Sequence, residues 1–267
     1  MSLPLTLRAF QHALSELVAS PASCLDVRAG RGEFFGRFDL SQSEKQRLRE
    51  VVWQQGMSVS CSMYRSNRVT PIYTLLNFTC FLLGDKLKEE LEGYWASSEL
   101  IDLQYKEEIE RFGQYLKRRI HDGAIKSQFV EEVLDFELAM NELQFVPRKR
   151  LLEQIRNTQS ERGSDLFQLS PLIRAVRFTH EPFELLALLG QRQMPVNEMP
   201  KGKFTLLLDA APERINMKQL DTKQGDILLR VQAEGTCREY SDNIAELVLE
   251  QLMIPKLTDA RMSLAAI

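Results

Sequence analysis

The chain has 267 residues, 44% of them hydrophobic and 27% charged, with 13 Gly and 10 Pro, which excludes collagen-like, coiled-coil-only and wholly disordered classes. At this length a single core tends to split, so two domains are expected. A formal charge of -3 argues against bulk nucleic acid as the main partner, since neutralising phosphates needs a net basic surface or a strong basic stripe.

From residue 5 to about 145 the pattern is helical almost throughout. A first helix is expected over 5–19, ending before Ser20-Pro21. The connection Arg28-Ala29-Gly30-Arg31-Gly32, followed by Phe34, Phe35 and Phe38, is rich in Gly and Arg. Its spacing matches neither phosphate-binding glycine pattern, so it reads as a flexible turn. Ser41-Gln42-Ser43-Glu44 has the form of a capping box, which starts a helix expected to reach about Gln55 and end at Gly56. Thr70-Pro71 is expected to open the next helix, with Pro where its missing N–H costs nothing, and Gly84 to stop it. Ile72, Tyr73, Leu75, Leu76, Phe78, Phe81, Leu82 and Leu83 leave that helix no polar face, so it is expected at the centre of a bundle.

Asp85 is expected to cap a short helix ending near Tyr94-Trp95. Ser98 then caps one carrying Ile101, Tyr105, Ile109, Phe112, Leu116 and Ile120, closed by Gly123. Phe129, Val133, Phe136, Met140 and Leu143 follow in steps of four and three, a stripe read as core. Pro147 stops this helix, and the charged segment 147–164 reads as a linker. Beyond it Ile173–Phe178 alternates as a strand, Phe204–Leu208 is a short apolar run, and Ile215–Leu220 is a third strand candidate. Asp221 or Thr222 caps a helix to about Ala233, Gly235 ends it, and Thr236 caps another over about 237–252, stopped by Pro255.

The expected fold is therefore α plus α/β: a helical bundle over 1–146, a linker over 147–164, and a smaller winged-helix-like α+β domain over 165–267. Two helices joined by a Gly turn beside short strands serve DNA binding. The same layout serves peptide recognition, in which a peptide adds a strand to the sheet edge.

Signatures of chemistry are few. Cys24, Cys61, Cys80 and Cys237 form no C-x-x-C pair, and His12, His121 and His180 are the only histidines, so metal-ligand spacing is absent and reduced cytoplasmic thiols are expected. No G-x-S-x-G or comparable nucleophile signature occurs. Asp135, Glu137 and Glu142 share a helix with the core stripe and read as its solvated face. His180 is expected to pair locally with Glu181. The N-terminus has no basic segment leading into an apolar stretch, and no apolar run spans a bilayer, which points to a soluble cytoplasmic protein.

One polar cluster is denser than its surroundings: Tyr64-Arg65-Ser66-Asn67-Arg68, just before the apolar run. Two Arg and one Asn there either offer donors to an acidic group or tie the helix start to backbone carbonyls.

Tyr64-Arg65-Ser66-Asn67, then Leu83-Gly84-Asp85 and Tyr94-Trp95-Ala96, resemble the Y-R-x-N, L-x-G-[DE] and aromatic-aromatic-Ala series of a family of two-domain proteins carrying a DNA-binding label. Asp135-Phe136-Glu137-Leu138-Ala139 resembles that family's later L-x-x-[LF]-E-x-A helix. The resemblance covers about residues 60–145 best and the rest by element order. Asn67-Arg68-Val69 stands where most members have Asn-Asn-Val.

Members accompany multinuclear non-haem iron-dependent oxidases that modify cysteines in ribosomally made peptides. The resemblance implies a non-catalytic accessory subunit with no cofactor of its own, in a heterodimer whose oxidase partner holds the iron. It implies that Tyr64, Arg65, Asn67 and Arg68 face the oxidase, while Ile215, Met217 and Gln219 on the edge strand and Arg238, Tyr240 and Ile244 on the last helix hold the precursor peptide. The alternative is a DNA-binding regulator with a helix-turn-helix C-terminal domain. The start of its second helix, Cys237-Arg238-Glu239-Tyr240-Ser241-Asp242, offers one Arg against two acids, which disfavours nucleic acid.

Overall fold

The structure, a computed structural model, describes residues 5–31, 33–97, 105–159, 166–196, 198–211, 213–237, 247–248, 250 and 252–255. The protein is helix-rich with small antiparallel sheets, an α+β architecture. It divides into two compact units, residues 1–74 with 88–112 and residues 75–87 with 113–267. No helix among the described residues is long and apolar enough to cross a membrane.

The first unit begins with α1 (Leu5–Ala19) and α2 (Pro21–Arg28). Ser20 caps α2, its hydroxyl accepting from the Ser23 amide at 3.2 Å. After a 3-10 turn at Phe34–Arg37 comes α3 (Gln42–Val51), opened by the capping box: the Glu44 amide donates to the Ser41 hydroxyl and the Ser41 amide to the Glu44 carboxylate. Ala13, Leu17, Cys24, Phe34, Leu48, Val52, Met57 and Cys61 form its core.

Helix α4 (Gln55–Leu75) corrects the expected helix start at Thr70-Pro71, because it runs straight through Pro71. Pro71 cannot donate to the carbonyl one turn back. Thr side chains add bonds nearby, the Thr70 hydroxyl to the Ser66 carbonyl at 2.7 Å and the Thr74 hydroxyl to the Thr70 carbonyl at 2.8 Å. The chain breaks instead at Leu76 and restarts as α5 (Asn77–Leu83), which Gly84 closes at φ +51°. Tyr73 is 49% exposed, so the apolar run is not one central helix.

Next come α6 (Lys86–Ser97), α7 (Tyr105–His121) and α8 (Val130–Gln144). Residue 98, the expected cap, lies outside the described residues. The helix buried nearly all round is α8, with Val130, Val133, Leu134, Phe136 and Leu143 joined by Glu132, Glu137 and Asn141. Glu137 therefore does not belong to a solvated face, whereas Asp135 reaches Lys117 at 2.6 Å and Glu142 reaches Arg174 at 2.6 Å, both partly exposed.

The expected linker carries α9 (Arg148–Gln159), which buries Leu151 and Ile155. The division read from sequence also moves. Helix α8 belongs with the sheet because its polar side chains bond to β2 (Ile173–His180) and its Phe136 ring lies 6.3 Å from Phe178.

Strand β2 pairs antiparallel with β3 (Lys201–Asp209), and β3 with β4 (Asn216–Leu220), giving the order β2-β3-β4. A two-stranded pair joins β1 (Phe167–Leu169) to β5 (Met253–Pro255). Between β2 and β3 lies α10 (Pro182–Gly190); α11 (Thr222–Glu234) follows β4. As the sequence indicates, Asp221 caps α11, accepting from the Lys223 and Gln224 amides, and Gly235 closes it at φ +80°. Most of the helix expected over 237–252 lies outside the described residues. Ile173, Ala175, Leu207, Leu220, Leu228 and Val231 form the core between sheet and α11.

That packing depends on Gly225, where an added Cβ would stand 2.4 Å from the Thr205 hydroxyl and 2.6 Å from its Cβ. Gly225→Ala is expected to destabilise the protein by about 1–3 kcal/mol through overpacking, although Ala is the better helix former. Urea unfolding checks this, and a stabilised variant contradicts the close approach.

Candidate functional site

The Tyr64–Arg68 cluster lies on the continuous α4. Arg68 is 5% exposed, and its Nε donates to Glu108 Oε1 at 2.7 Å. The rings of Tyr64, Tyr94 and Trp95 lie 5.8, 5.4 and 5.8 Å from its guanidinium carbon, so the charge is enclosed by π faces as well as a carboxylate. Burial pulls the guanidinium pKa down, but the Glu108 bond and charge outweigh it, and Arg68 stays charged above its ordinary value. This corrects its expected place on a partner interface: a side chain enclosed in this way presents no donor to another protein.

Tyr64 is half-buried as part of that cage, while Arg65 and Asn67 are exposed. Arg65 stacks over Trp95 at 5.7 Å and has no carboxylate partner among the described residues. Residues 51–84 contain no Asp or Glu at all, in a chain with 37. Helix α4 itself therefore adds no negative charge beside Arg65, which favours an anionic partner there.

In the second unit the two edges of the three-stranded sheet differ. On the outer side of β2 the Gln232 side chain bonds Ala175 twice, accepting from its amide at 2.9 Å and donating to its carbonyl at 3.0 Å. The Glu132 carboxylate accepts from the Thr179 amide at 2.6 Å. Side chains therefore occupy β2 at Ala175 and Thr179, where a further strand would bind. At the other edge, Asn216, Met217, Lys218 and Gln219 of β4 are exposed, and no strand pairs with their outer side among the described residues. Leu220 turns into the α11 core. Alternation therefore puts Ile215, Met217 and Gln219 together on the opposite face. Of the expected peptide-binding residues these three are placed by the structure; Arg238, Tyr240 and Ile244 lie outside the described residues.

Sequence reasoning missed a buried dyad. His180 is 1% exposed, and its Nδ1 lies 2.6 Å from Glu132 Oε1, a residue 48 positions away. The other Glu132 oxygen accepts from the Thr179 hydroxyl at 2.7 Å as well as its amide. Glu181, the expected partner, instead caps α10 by accepting from the Glu184 amide at 2.6 Å. Nδ1 faces the carboxylate, and Nε2 is the ring nitrogen turned away from it. That is how a general base or a metal-ligating histidine is oriented.

Here, however, Nε2 is buried without a partner among the described residues, and the Phe129 ring packs against the imidazole at 4.6 Å between centroids. Phe129 also lines a cavity of about 590 Å³ with Leu82, Leu83, Ile125, Val130 and Met194. The imidazole therefore sits behind an aromatic wall, and no group of three or more potential metal ligands occurs among the described residues. The dyad ties α8 to β2.

Glu137 is a second buried tie, further along α8. Its oxygens accept from the Phe78 and Thr79 amides at 2.7 and 2.9 Å, which explains why α5 starts where it does. Burial pushes its carboxyl up to about 7, against the pull of those hydrogen bonds. The one signal that could have found either carboxylate is its position on the stripe's flank, since Glu132 and Glu137 each adjoin a stripe residue, Val133 and Phe136.

The chain matches no protein-family model, and no curated protein matches it significantly.

Proposed function

We propose that the chain is a cytoplasmic, non-catalytic accessory subunit whose second unit, winged-helix-like in kind, binds a ribosomal precursor peptide and presents the peptide's cysteine to an iron-dependent oxidase partner. The observation that carries this reading is the contrast between the sheet edges. One is occupied by Gln232 and Glu132, and no strand pairs with the other, β4, among the described residues. Proteins usually protect exposed edges, and an edge left open beside a protected one suits strand addition. Main-chain bonds then supply affinity and alternate side-chain positions supply selectivity. Ile215, Met217 and Gln219 are those alternate positions, and Arg65 with Asn67, on acid-poor α4, is the surface offered to the oxidase. The iron belongs to the partner.

Successive amides of a strand point alternately to its neighbour and away from it, so one of Met217→Pro and Lys218→Pro leaves the β3–β4 ladder whole. The variant that keeps the wild-type circular dichroism spectrum is expected to lose at least about tenfold in precursor-peptide affinity, since a strand-adding peptide needs that outward backbone. If both variants fold and bind as the wild type does, the peptide uses another surface. A pull-down in which purified chain retains neither oxidase nor peptide also defeats the reading, and salt-sensitive retention of duplex DNA favours the regulator instead.

A further inference from the structure

We propose that Cys24 and Cys61 form an oxidant-responsive thiol pair that closes to an intramolecular disulfide, joining α2 to α4 one helical turn from Arg65.

Both thiols line a cavity of about 230 Å³ in the first unit, together with Leu25, Arg28, Ser58 and Arg65. Both also belong to one buried core cluster, and the Cys61 thiol donates to the Leu17 carbonyl at 3.7 Å. Being 5% and 9% exposed, they are open only to reagents small enough to enter the cavity. A disulfide needs the two sulfurs to close to about 2.05 Å, and two thiols on the wall of one small cavity approach each other by side-chain rotation.

The four cysteines are all free and buried, and the other two sit in different surroundings. Cys80 lies beside Glu137, where burial pushes its thiol up to about 12. Cys237 belongs to the core between sheet and α11. For Cys61, burial and the neighbouring Cys24 raise the thiol, whereas Arg28 and Arg65 pull it down. The upward pull of burial wins, so the thiolate is scarce, and the two cations favour it where it does form. Burial of the same thiol makes the reaction slow.

The oxidant is a low-molecular-weight disulfide, R–S–S–R. The Cys61 thiol gives its proton to solvent, and the thiolate attacks one sulfur of the reagent. The reagent's S–S bond breaks, R–S⁻ leaves and takes up a proton, and a mixed disulfide remains on Cys61. The Cys24 thiolate then attacks the Cys61 sulfur, forming the internal S–S bond and releasing a second R–SH. Two protein thiols lose two electrons in total, and one small disulfide is reduced to two thiols. The internal attack prevails because Cys24 is held in place while R–SH diffuses away. Closure fixes α4 next to the exposed Arg65 and so couples thiol oxidation to the surface that Arg65 presents.

The test is incubation of the reduced, full-length chain with excess oxidised 2-mercaptoethanol under native conditions, followed by thiol titration in denaturant and peptide mapping. The expected result is loss of two titratable thiols, a mass decrease of about 2 Da from the two hydrogens removed, and one cross-linked peptide pair containing Cys24 and Cys61. Dithiothreitol should restore all thiols. In Cys24→Ser the second step is blocked, so mercaptoethanol is expected to stay attached to Cys61. Four thiols that still titrate, a cross-link through Cys80 or Cys237, or mercaptoethanol persisting on Cys61 of the wild type would each overturn the proposal.

Discussion

Glu108→Ala is expected to cost about 3–5 kcal/mol of folding stability, because it leaves the Arg68 guanidinium buried and charged with no carboxylate to answer it. The pair is 6% and 5% exposed, so water reaches little of either side chain. The three surrounding rings soften the loss without replacing it, since a cation over a ring is stabilised by about 2 kcal/mol when desolvated. The double variant Arg68→Met with Glu108→Leu removes both charges and is expected to recover much of the deficit. Urea unfolding of the three proteins checks this. If Glu108→Ala costs less than about 1 kcal/mol, or if the double variant is the least stable of the three, the ion pair does not have the buried character described.

The second large effect concerns pH. Glu137 ionises near 4.5 when unfolded and near 7 when folded, so between those values the native state binds the extra proton. Stability contributed by this group is then full below about 4.5, falls as pH rises through 7, and stays level above. A shift of this size amounts to roughly 3 kcal/mol. Glu137→Gln keeps an oxygen for an α5 amide and cannot ionise. The difference in unfolding free energy between wild type and variant is therefore expected to move by that amount between pH 4.5 and 8, the wild type losing ground as pH rises. Parallel curves would show that Glu137 ionises in the folded state as it does in water.

These carboxylates also mark where sequence reasoning stops. Local grammar was legible: the Ser41–Glu44 capping box, the Asp221 cap and the Gly235 stop all form as read, because each is decided within a few residues. Strands β2, β3 and β4 were legible from alternation and short apolar runs. Pro71 was misread for the same reason that made it persuasive. Its preference for the first turn is local, whereas the actual break at Leu76 is set by Glu137, about sixty residues on. The Glu132–His180 dyad was likewise hidden, since nothing near His180 announces a partner 48 positions earlier, and Glu181 next door was the obvious substitute. For the candidate site, the cluster on α4 was visible but its division was not. Spacing does not reveal that Arg68 turns into an aromatic cage while Arg65, three residues earlier, turns out.

Gln232, described above as closing the β2 edge, also sets how far assembly can run. A sheet with one adhesive edge has a valency of one. Two copies meeting through β4 make a finite pair that ends, on both sides, at a strand already satisfied by Gln232 and Glu132. Were both edges open, the valency would be two, and each added copy would offer a fresh end, which is the condition for a fibre. Gln232 and Glu132 together thus leave the described sheet one unpaired end rather than two.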